Sequence, residues 1–112
     1  MYDDYLAERV RQSLQKKKIS FEEKKMMGGL AFMVNDKMCV GINQEKLMAR
    51  VGPEVYESSL AKAGVNEMDF TKKPMKGWIY VSTEAIDQDS DLDYWIQLAL
   101  DYNPHAKSSK RK

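Results

Sequence analysis

The chain has 112 residues, of which 43% are hydrophobic and 31% are charged, a length and balance that fit one domain with its own core and exclude a disordered chain. Four of its 18 basic side chains lie in residues 107–112 and no acidic residue follows Asp101, so residues 1–106 hold 14 basic and 17 acidic groups. A weakly acidic body of this kind is a poor match for a phosphate backbone and does not favour nucleic-acid binding as its main role.

The first predicted element is a helix that Asp3 or Asp4 caps and that ends near Lys17. A side chain that recurs every four positions lies on one stripe of a helix. The apolar residues that follow this spacing are Tyr2, Leu6, Val10 and Leu14. The sequence therefore predicts an amphipathic helix that packs one side against a core.

A strand over residues 21–27 is expected next, leading into a central hairpin. Residues 30–34 are an unbroken apolar run, short enough for a strand that is buried on both faces. Asn35 and Asp36 tolerate positive φ and predict a tight turn. The Gly28-Gly29 pair before the run indicates a bulge or a close approach of two backbones.

The second strand of the hairpin shows a period of two. Its large side chains, Met38, Val40 and Ile42, alternate with the small ones, Cys39 and Gly41. Successive side chains of a strand point to opposite faces. The alternation therefore predicts one face with large apolar groups and one face with small groups.

A further strand is expected from near Lys46 to Val51, where Gly52-Pro53 ends it. Pro53 then suits the first position of a second helix, which is predicted to run from Pro53 to Ala63 and to end at Gly64.

The last third of the chain predicts a looser hairpin and a helix. Met68–Thr71 is read as a short strand or extended segment, Lys72-Lys73-Pro74 as a turn, and 77–81 as a strand. Ser90 and Asp93 resemble a capping box at the start of the final helix, which Pro104 ends.

This order of elements predicts an α+β fold: a two-layer α-β(3)-α-β(2)-α domain with a mostly antiparallel sheet. The domain is expected to span residues 1–104, and residues 105–112 are expected to form a basic flexible tail.

Several blocks of the sequence, in this order, resemble the N-terminal domain of the TfoX/Sxy family, known for bacterial regulators of natural competence. The blocks are MMGGLAFMV, MCVGI, LMARVGPEVYE, MDFTKKPMKGWIYV and the closing helix around Tyr94-Trp95, and together they extend from about Ala7 to Tyr102. The family pattern typically has Met-Phe-Gly-Gly where this chain has Met26-Met27-Gly28-Gly29, so a flexible apolar residue replaces an aromatic one.

The resemblance implies a fold like that of type III secretion chaperones and no known catalytic activity. Full-length competence regulators of the family carry a second, helical domain after this one, whereas this sequence ends just after the first. The family name is therefore expected to transfer to this chain better than the family's role in competence.

The residues themselves indicate neither a catalytic nor a metal site, and no cofactor is expected. One histidine, His105, and one cysteine, Cys39, provide no zinc-binding spacing, and Cys39 lies between apolar neighbours rather than in the open, electropositive setting of a catalytic thiol. The methionines fall within or beside strands, where filling of the core explains them better than soft-metal binding. The protein is therefore expected not to be an enzyme.

A lysine-rich turn next to an aromatic residue is the strongest candidate for a partner surface. The candidate residues of this turn are Lys72, Lys73, Met75, Lys76 and Trp78. Arg50, a charge inside an apolar strand, is a further candidate for the same surface. Three cations, a proline-stiffened turn and an aromatic residue suit an acidic partner, while the alternative is a solvated turn whose tryptophan packs inside. Arg50 either faces solvent or pairs with a carboxylate such as Glu22 or Asp69.

These features lead to the hypothesis of a cytoplasmic regulatory or adaptor domain that acts through protein contacts. The lone cysteine excludes an internal disulfide and indicates a reducing compartment, and no apolar run approaches the ~20 residues that span a bilayer, so membrane association is not expected. An uncovered sheet edge or face would also allow the domain to form a homodimer. The alternative function is direct nucleic-acid binding through the lysine-rich turn and residues 105–112.

Overall fold

The computed structural model describes residues 3–26, 29–67 and 77–105. In these residues, six strands form one antiparallel sheet in the order β1-β2-β3-β4-β6-β5. The strands are β1 (Glu22–Met26), β2 (Gly29–Val34), β3 (Lys37–Asn43), β4 (Lys46–Arg50), β5 (Val65–Glu67) and β6 (Trp78–Val81). The helices are α1 (Asp4–Lys16), α2 (Tyr56–Leu60) and α3 (Asp89–Tyr102), with 3₁₀ turns at Pro53–Val55, Thr83–Ile86 and Asn103–His105.

The predicted fold class is confirmed, since the chain is α+β and its sheet is antiparallel. The predicted α-β(3)-α-β(2)-α order counts one strand too few before the second helix. The strand expected over residues 21–27 forms as β1, which pairs along β2 from Glu22 opposite Met33 to Met26 opposite Gly29, so four strands precede that helix. The fifth strand is β5, which pairs with β6 and ends before the predicted Met68–Thr71 segment. That segment lies outside the described residues.

α1 forms as the sequence predicts. The Asp3 carboxylate accepts hydrogen bonds from the backbone N–H groups of Tyr5, at 2.9 Å, and Leu6, at 3.4 Å, and so caps the helix. The side chains on its predicted apolar stripe are buried in the core, together with Ala7: Leu6, Val10 and Leu14. The cap and the stripe together fix both the start of α1 and the side that faces the sheet.

The turn of the central hairpin is confirmed, with φ of 55° at Asn35 and 64° at Asp36. The predicted alternation along β3 is wrong at its first residues. Phe32 pairs with Val40 but Met33 pairs with Met38, so Cys39 is the extra residue of a β-bulge. The bulge shifts the period of two by one residue, so that Cys39 joins Val40 in the core.

The second helical segment is shorter than the predicted Pro53–Ala63 helix. A 3₁₀ turn over Pro53–Val55 comes first, and Val55 has φ −108°, outside helical geometry, before α2 begins at Tyr56. Gly52, which was predicted to end β4, has φ 92°. The predicted end of the helix at Gly64 is wrong: α2 ends at Leu60 with Ala61 as its cap, and Gly64, with φ 83°, lies in the turn before β5.

α3 begins after Gln88, so the predicted capping box is wrong: Ser90 lies inside the first turn. The Asp93 carboxylate instead accepts hydrogen bonds from Ser13 Oγ at 2.8 Å and from Lys17 Nζ at 3.1 Å, which join α3 to α1. Burial disfavours the charged carboxylate, but the bonds from Ser13 and Lys17 outweigh it, so the pKa of Asp93 is lower than usual.

The C-terminal end of α3 is joined to the β2–β3 hairpin by a buried asparagine. Asn103 is 3% exposed. Its Nδ2 donates to the carbonyl of Val34 at 3.2 Å, and its Oδ1 accepts from Asn35 Nδ2 at 3.0 Å. Lys37 Nζ donates to the Asn103 carbonyl at 3.1 Å, where a cation also suits the end of the helix.

The buried hydroxyl of Tyr56 allows a first test of what an unpaired polar group costs in the core. Tyr56 is 6% exposed, and its hydroxyl meets no hydrogen-bond partner within the described residues. Burial is the largest cause of the raised pKa of Tyr56, and the nearby carboxylates of Glu67 and Glu57 raise it further. Because a buried unpaired hydroxyl costs free energy, we expect Tyr56→Phe to raise the free energy of unfolding by about 1 kcal/mol in urea denaturation.

The matched control for this prediction is Tyr5→Phe, since Tyr5 is 74% exposed and its hydroxyl is free to bind water. We expect this control to leave the free energy of unfolding unchanged. A loss of stability after Tyr56→Phe would contradict the prediction and show that the hydroxyl is paired in solution.

Within the residues described, the helices are too short or too polar to cross a lipid bilayer.

Candidate partner-binding face

The sheet has a second face, opposite to the helices, which we call the outer face. Because strand side chains alternate, the residues next to the core positions Leu30, Ile42, Leu47 and Ile79 point to this side. The described members of the outer face are Glu22, Lys24, Ala31, Met33, Met38, Gly41, Asn43, Lys46, Met48, Arg50, Asn66, Trp78 and Tyr80.

The centre of the outer face is apolar and rich in methionine. A Cβ added to Gly41 would lie 2.6 Å from Met38 Cε and 2.8 Å from Met48 Cε, so this glycine makes room for both methionine side chains. Met33 is the register neighbour of Met38 on β2. Met48 is fully buried, whereas Met33 and Met38 are half-buried and reach the surface. Methionine is flexible and polarisable, which lets the exposed parts of these two side chains adapt to the shape of a partner.

Two cation–aromatic pairs lie beside the methionines, along β4 and β6. The Arg50 guanidinium carbon lies 5.2 Å from the centre of the Trp78 ring, and Lys46 Nζ lies 5.3 Å from the centre of the Tyr80 ring. The pairing of Arg50 with Trp78 across the two strands accounts for the first of these contacts. Both separations lie within the ~6 Å over which a cation is attracted to a ring face.

Arg50 also reaches the helical layer, since its guanidinium carbon lies 6.0 Å from the centre of the Tyr102 ring. The predicted pairing with Glu22 is wrong: β2 and β3 separate β1 from β4, which puts the two backbones about 14 Å apart. The other predicted partner, Asp69, lies outside the described residues. Arg50 is half-buried rather than fully solvated.

The structure brings two of the six predicted surface residues, Arg50 and Trp78, into contact. The others fall outside the described residues: Lys72, Lys73, Met75 and Lys76. The sequence reading missed Lys46 and Tyr80. Tyr80 lies two residues from Trp78 and Lys46 lies four residues from Arg50, each on the same face of its strand. The period of two would therefore have found both once β4 and β6 were known to be neighbours.

The charge of the outer face differs from that of the whole domain. Its described members include three cations, Lys24, Lys46 and Arg50, and one acidic residue, Glu22. Residues 1–106 as a whole hold more acidic than basic groups, 17 against 14. A cationic surface that surrounds an apolar centre is suited to a partner that combines carboxylates with apolar side chains.

Cys39 is not placed for nucleophilic chemistry. It is 1% exposed, and burial raises the pKa of its thiol to about 12, so it stays protonated at neutral pH. His105, the one histidine of the sequence, belongs to the last described 3₁₀ turn and is exposed. Across the described ranges, the side chains of His, Cys, Asp and Glu form no group of three that could hold a metal ion.

The model of one protein family, the TfoX N-terminal domain, matches residues 8–102, which is nearly the whole chain. No curated protein and no solved structure matches the chain.

Proposed function

Because the chain belongs to the TfoX N-terminal domain family, we propose that it is a non-enzymatic regulatory or adaptor domain that binds another protein in the bacterial cytoplasm. The family is known for competence regulators, and we propose a regulatory or adaptor role for this chain without assigning it to competence. The observation that carries the proposal is the outer face, where the pairs Arg50–Trp78 and Lys46–Tyr80 stand beside an apolar centre.

The partner that suits this face presents acidic and apolar side chains together. Its carboxylates would meet Lys46 and Arg50, and its apolar side chains would pack on Met38 and Trp78. Arginine, methionine and tryptophan are enriched at protein interfaces, and a few such residues provide most of the binding free energy. Exposed lysines around them favour the acidic partner over others.

A second candidate function is direct nucleic-acid binding, through the lysine-rich turn, the C-terminal tail and the outer face. Aromatic rings beside cations on an antiparallel sheet also suit the stacking of unpaired bases, so Trp78 and Tyr80 support this alternative. It requires an affinity that falls steeply as salt concentration rises. It also requires that removal of residues 107–112 weakens binding.

The experiment is a pull-down of the tagged protein from bacterial lysate, with and without nuclease, read by mass spectrometry. We expect a specific protein to remain bound after nuclease treatment and after removal of residues 107–112. Recovery of only ribosomal and nucleoid proteins, lost on nuclease treatment, would contradict the adaptor proposal and favour nucleic-acid binding.

A matched pair of lysines tests whether the outer face makes this contact. Lys46 and Lys62 are both exposed, and their Nζ atoms lie 5.3 Å and 5.4 Å from the rings of Tyr80 and Tyr94 respectively. Only Lys46 belongs to the outer face. We expect Lys46→Glu to weaken binding of the recovered protein about tenfold, a loss typical of an important interface residue, while Lys62→Glu leaves the Kd unchanged in titration calorimetry.

Arg50→Ala completes this test, with unfolding and binding measured on the same sample. We expect weaker binding with only a modest loss of stability. Equal binding by the Lys46→Glu and Lys62→Glu proteins would contradict the assignment of the outer face. Loss of stability with normal binding after Arg50→Ala would show that Arg50 has a purely structural role.

A further inference from the structure

A groove of about 460 Å³ lies between the Pro53–Val55 turn and the C-terminal half of α3, apart from the outer-face residues. Clefts of this size hold small ligands or a few side chains of a peptide. The residues that line it are Val51, Pro53, Glu54, Val55, Leu98, Asp101, Tyr102 and His105.

The floor of the groove is apolar and held in place by the backbone. Val55, Leu98 and Tyr102 are half-buried there. The N–H groups of Val51 and Gly52 both donate to the Gly77 carbonyl, at 2.8 Å and 3.1 Å, and fix the chain as it leaves β4. The Tyr102 ring packs so closely on Gly52 that a side chain there would overlap it, so the groove is formed before any partner arrives.

The rim of the groove is acidic. Glu54 and Asp101 are both exposed, and Gln97 Nε2 donates to Asp101 Oδ1 at 2.9 Å, which orients that carboxylate. The described lining residues include neither lysine nor arginine, although the Arg50 guanidinium carbon lies 6.0 Å from the centre of the Tyr102 ring. The groove therefore combines an apolar floor with two carboxylates that a partner's cations can meet, the reverse of the charge on the outer face.

We propose that this groove is a docking site for an extended segment of a partner protein that presents an apolar side chain next to lysine or arginine. The apolar side chain packs on Val55, Leu98 and Tyr102, and the cation binds between Glu54 and Asp101. This site is separate from the proposed function of the outer face, because the two surfaces select opposite charges. One domain can then contact two partners, or two regions of one partner, at the same time.

The test is an NMR titration of the full chain with a synthetic peptide of eight alternating leucine and lysine residues. The control peptide has glutamate in place of lysine. We expect the leucine–lysine peptide to shift the amide signals of Val55, Leu98 and Tyr102 in a saturable way, and the glutamate peptide to leave them unchanged.

Two variants with the same change in net charge make the test specific. Asp101→Lys reverses one rim carboxylate, and Glu45→Lys reverses an exposed carboxylate in the turn between β3 and β4. We expect Asp101→Lys to weaken peptide binding at least tenfold and Glu45→Lys to change it less than twofold. Leu98→Asn, which makes the floor polar, is expected to weaken binding without any change in charge.

Three results would overturn the proposal. The first is the absence of saturable shifts in the groove at millimolar peptide. The second is equal weakening by Asp101→Lys and Glu45→Lys, which would show general attraction between a cationic peptide and an acidic protein. The third is full binding after Leu98→Asn. These results use substitutions at Asp101, Glu45 and Leu98, whereas the outer-face proposal is tested at Lys46 and Lys62, so the two proposals stand or fall separately.

Discussion

Substitution of Asn103 by alanine is expected to lower the free energy of unfolding by about 3 kcal/mol, measured by urea denaturation. The change removes the hydrogen bond to the Val34 carbonyl, at 3.2 Å, and the one from Asn35 Nδ2, at 3.0 Å. Asn103 is 3% exposed, so water does not replace the lost donor without opening the structure. The loss is large because a buried polar group left without its partner costs more than the bond itself contributes.

The control that isolates the buried bond is Asn35→Gly. Asn35 is exposed and has φ 55°, which glycine adopts without strain, so this change removes only the bond to Asn103 Oδ1. We expect it to cost less than about 1 kcal/mol, because this bond is only part-buried and water reaches Asn103 Oδ1 once the exposed Asn35 side chain is removed. If Asn103→Ala costs no more than Asn35→Gly, the bond to Val34 does not hold α3 against the hairpin.

Asn103 also shows where prediction from this sequence stops. Its position near the end of a helix, before Pro104, was visible in the sequence. Its role depends on Val34, 69 residues earlier, and the approach of two distant segments leaves no local pattern. The Asp3 cap and the Asn35-Asp36 turn were predictable because each depends on neighbours within a few residues.

The bulge at Cys39 was not predictable for a different reason. The residues of β3 alternate in size as a regular strand does, and no glycine or proline marks the extra residue. The bulge is a property of the pairing, in which Phe32 meets Val40 and Met33 meets Met38. Sequence reading therefore put Met38 on the wrong side, and with it part of the methionine centre of the outer face.

The candidate site was partly predictable: single residues that stand out from their neighbours are visible in the sequence, but contacts that depend on strand pairing are not. Arg50 stood out as a charge in an apolar strand, and Trp78 as an aromatic residue after a glycine. That they touch depends on the pairing of β4 with β6, across the intervening helix and β5. The acidic groove was not foreseen, because Glu54 and Asp101 are 47 positions apart in sequence and each reads alone as an ordinary solvated charge.

A second large effect is expected at Gly29, where the sequence predicted a close approach of backbones. A Cβ at this position would lie 2.5 Å from the carbonyl oxygen of Ile42 on β3. Gly29 also pairs with Met26 on β1, so β2 is held on both sides and cannot move away freely. We expect Gly29→Ala to lower the free energy of unfolding by about 3 kcal/mol, the upper range for overpacking, in urea denaturation.

Gly41→Ala is the matched change one strand away. Its Cβ would meet the methyl ends of Met38 and Met48, which can swing aside, and the Leu30 carbonyl oxygen at 2.9 Å, farther than the oxygen that faces Gly29. We expect a loss of about 1 kcal/mol. A loss of stability equal to or greater than that of Gly29→Ala would show that the close backbone contact at Gly29 is not the cause of the large destabilisation expected there.

The same two variants separate stability from function. Gly41→Ala displaces the methionines of the outer face, whereas Gly29→Ala acts mainly on the separation of β2 and β3 near the end of the sheet. Under conditions in which both proteins remain folded, the less destabilised Gly41→Ala protein should therefore bind its partner more weakly. If binding instead follows the loss of stability, the methionine centre takes no part in the contact, and the binding surface is restricted to the cation–aromatic pairs of β4 and β6.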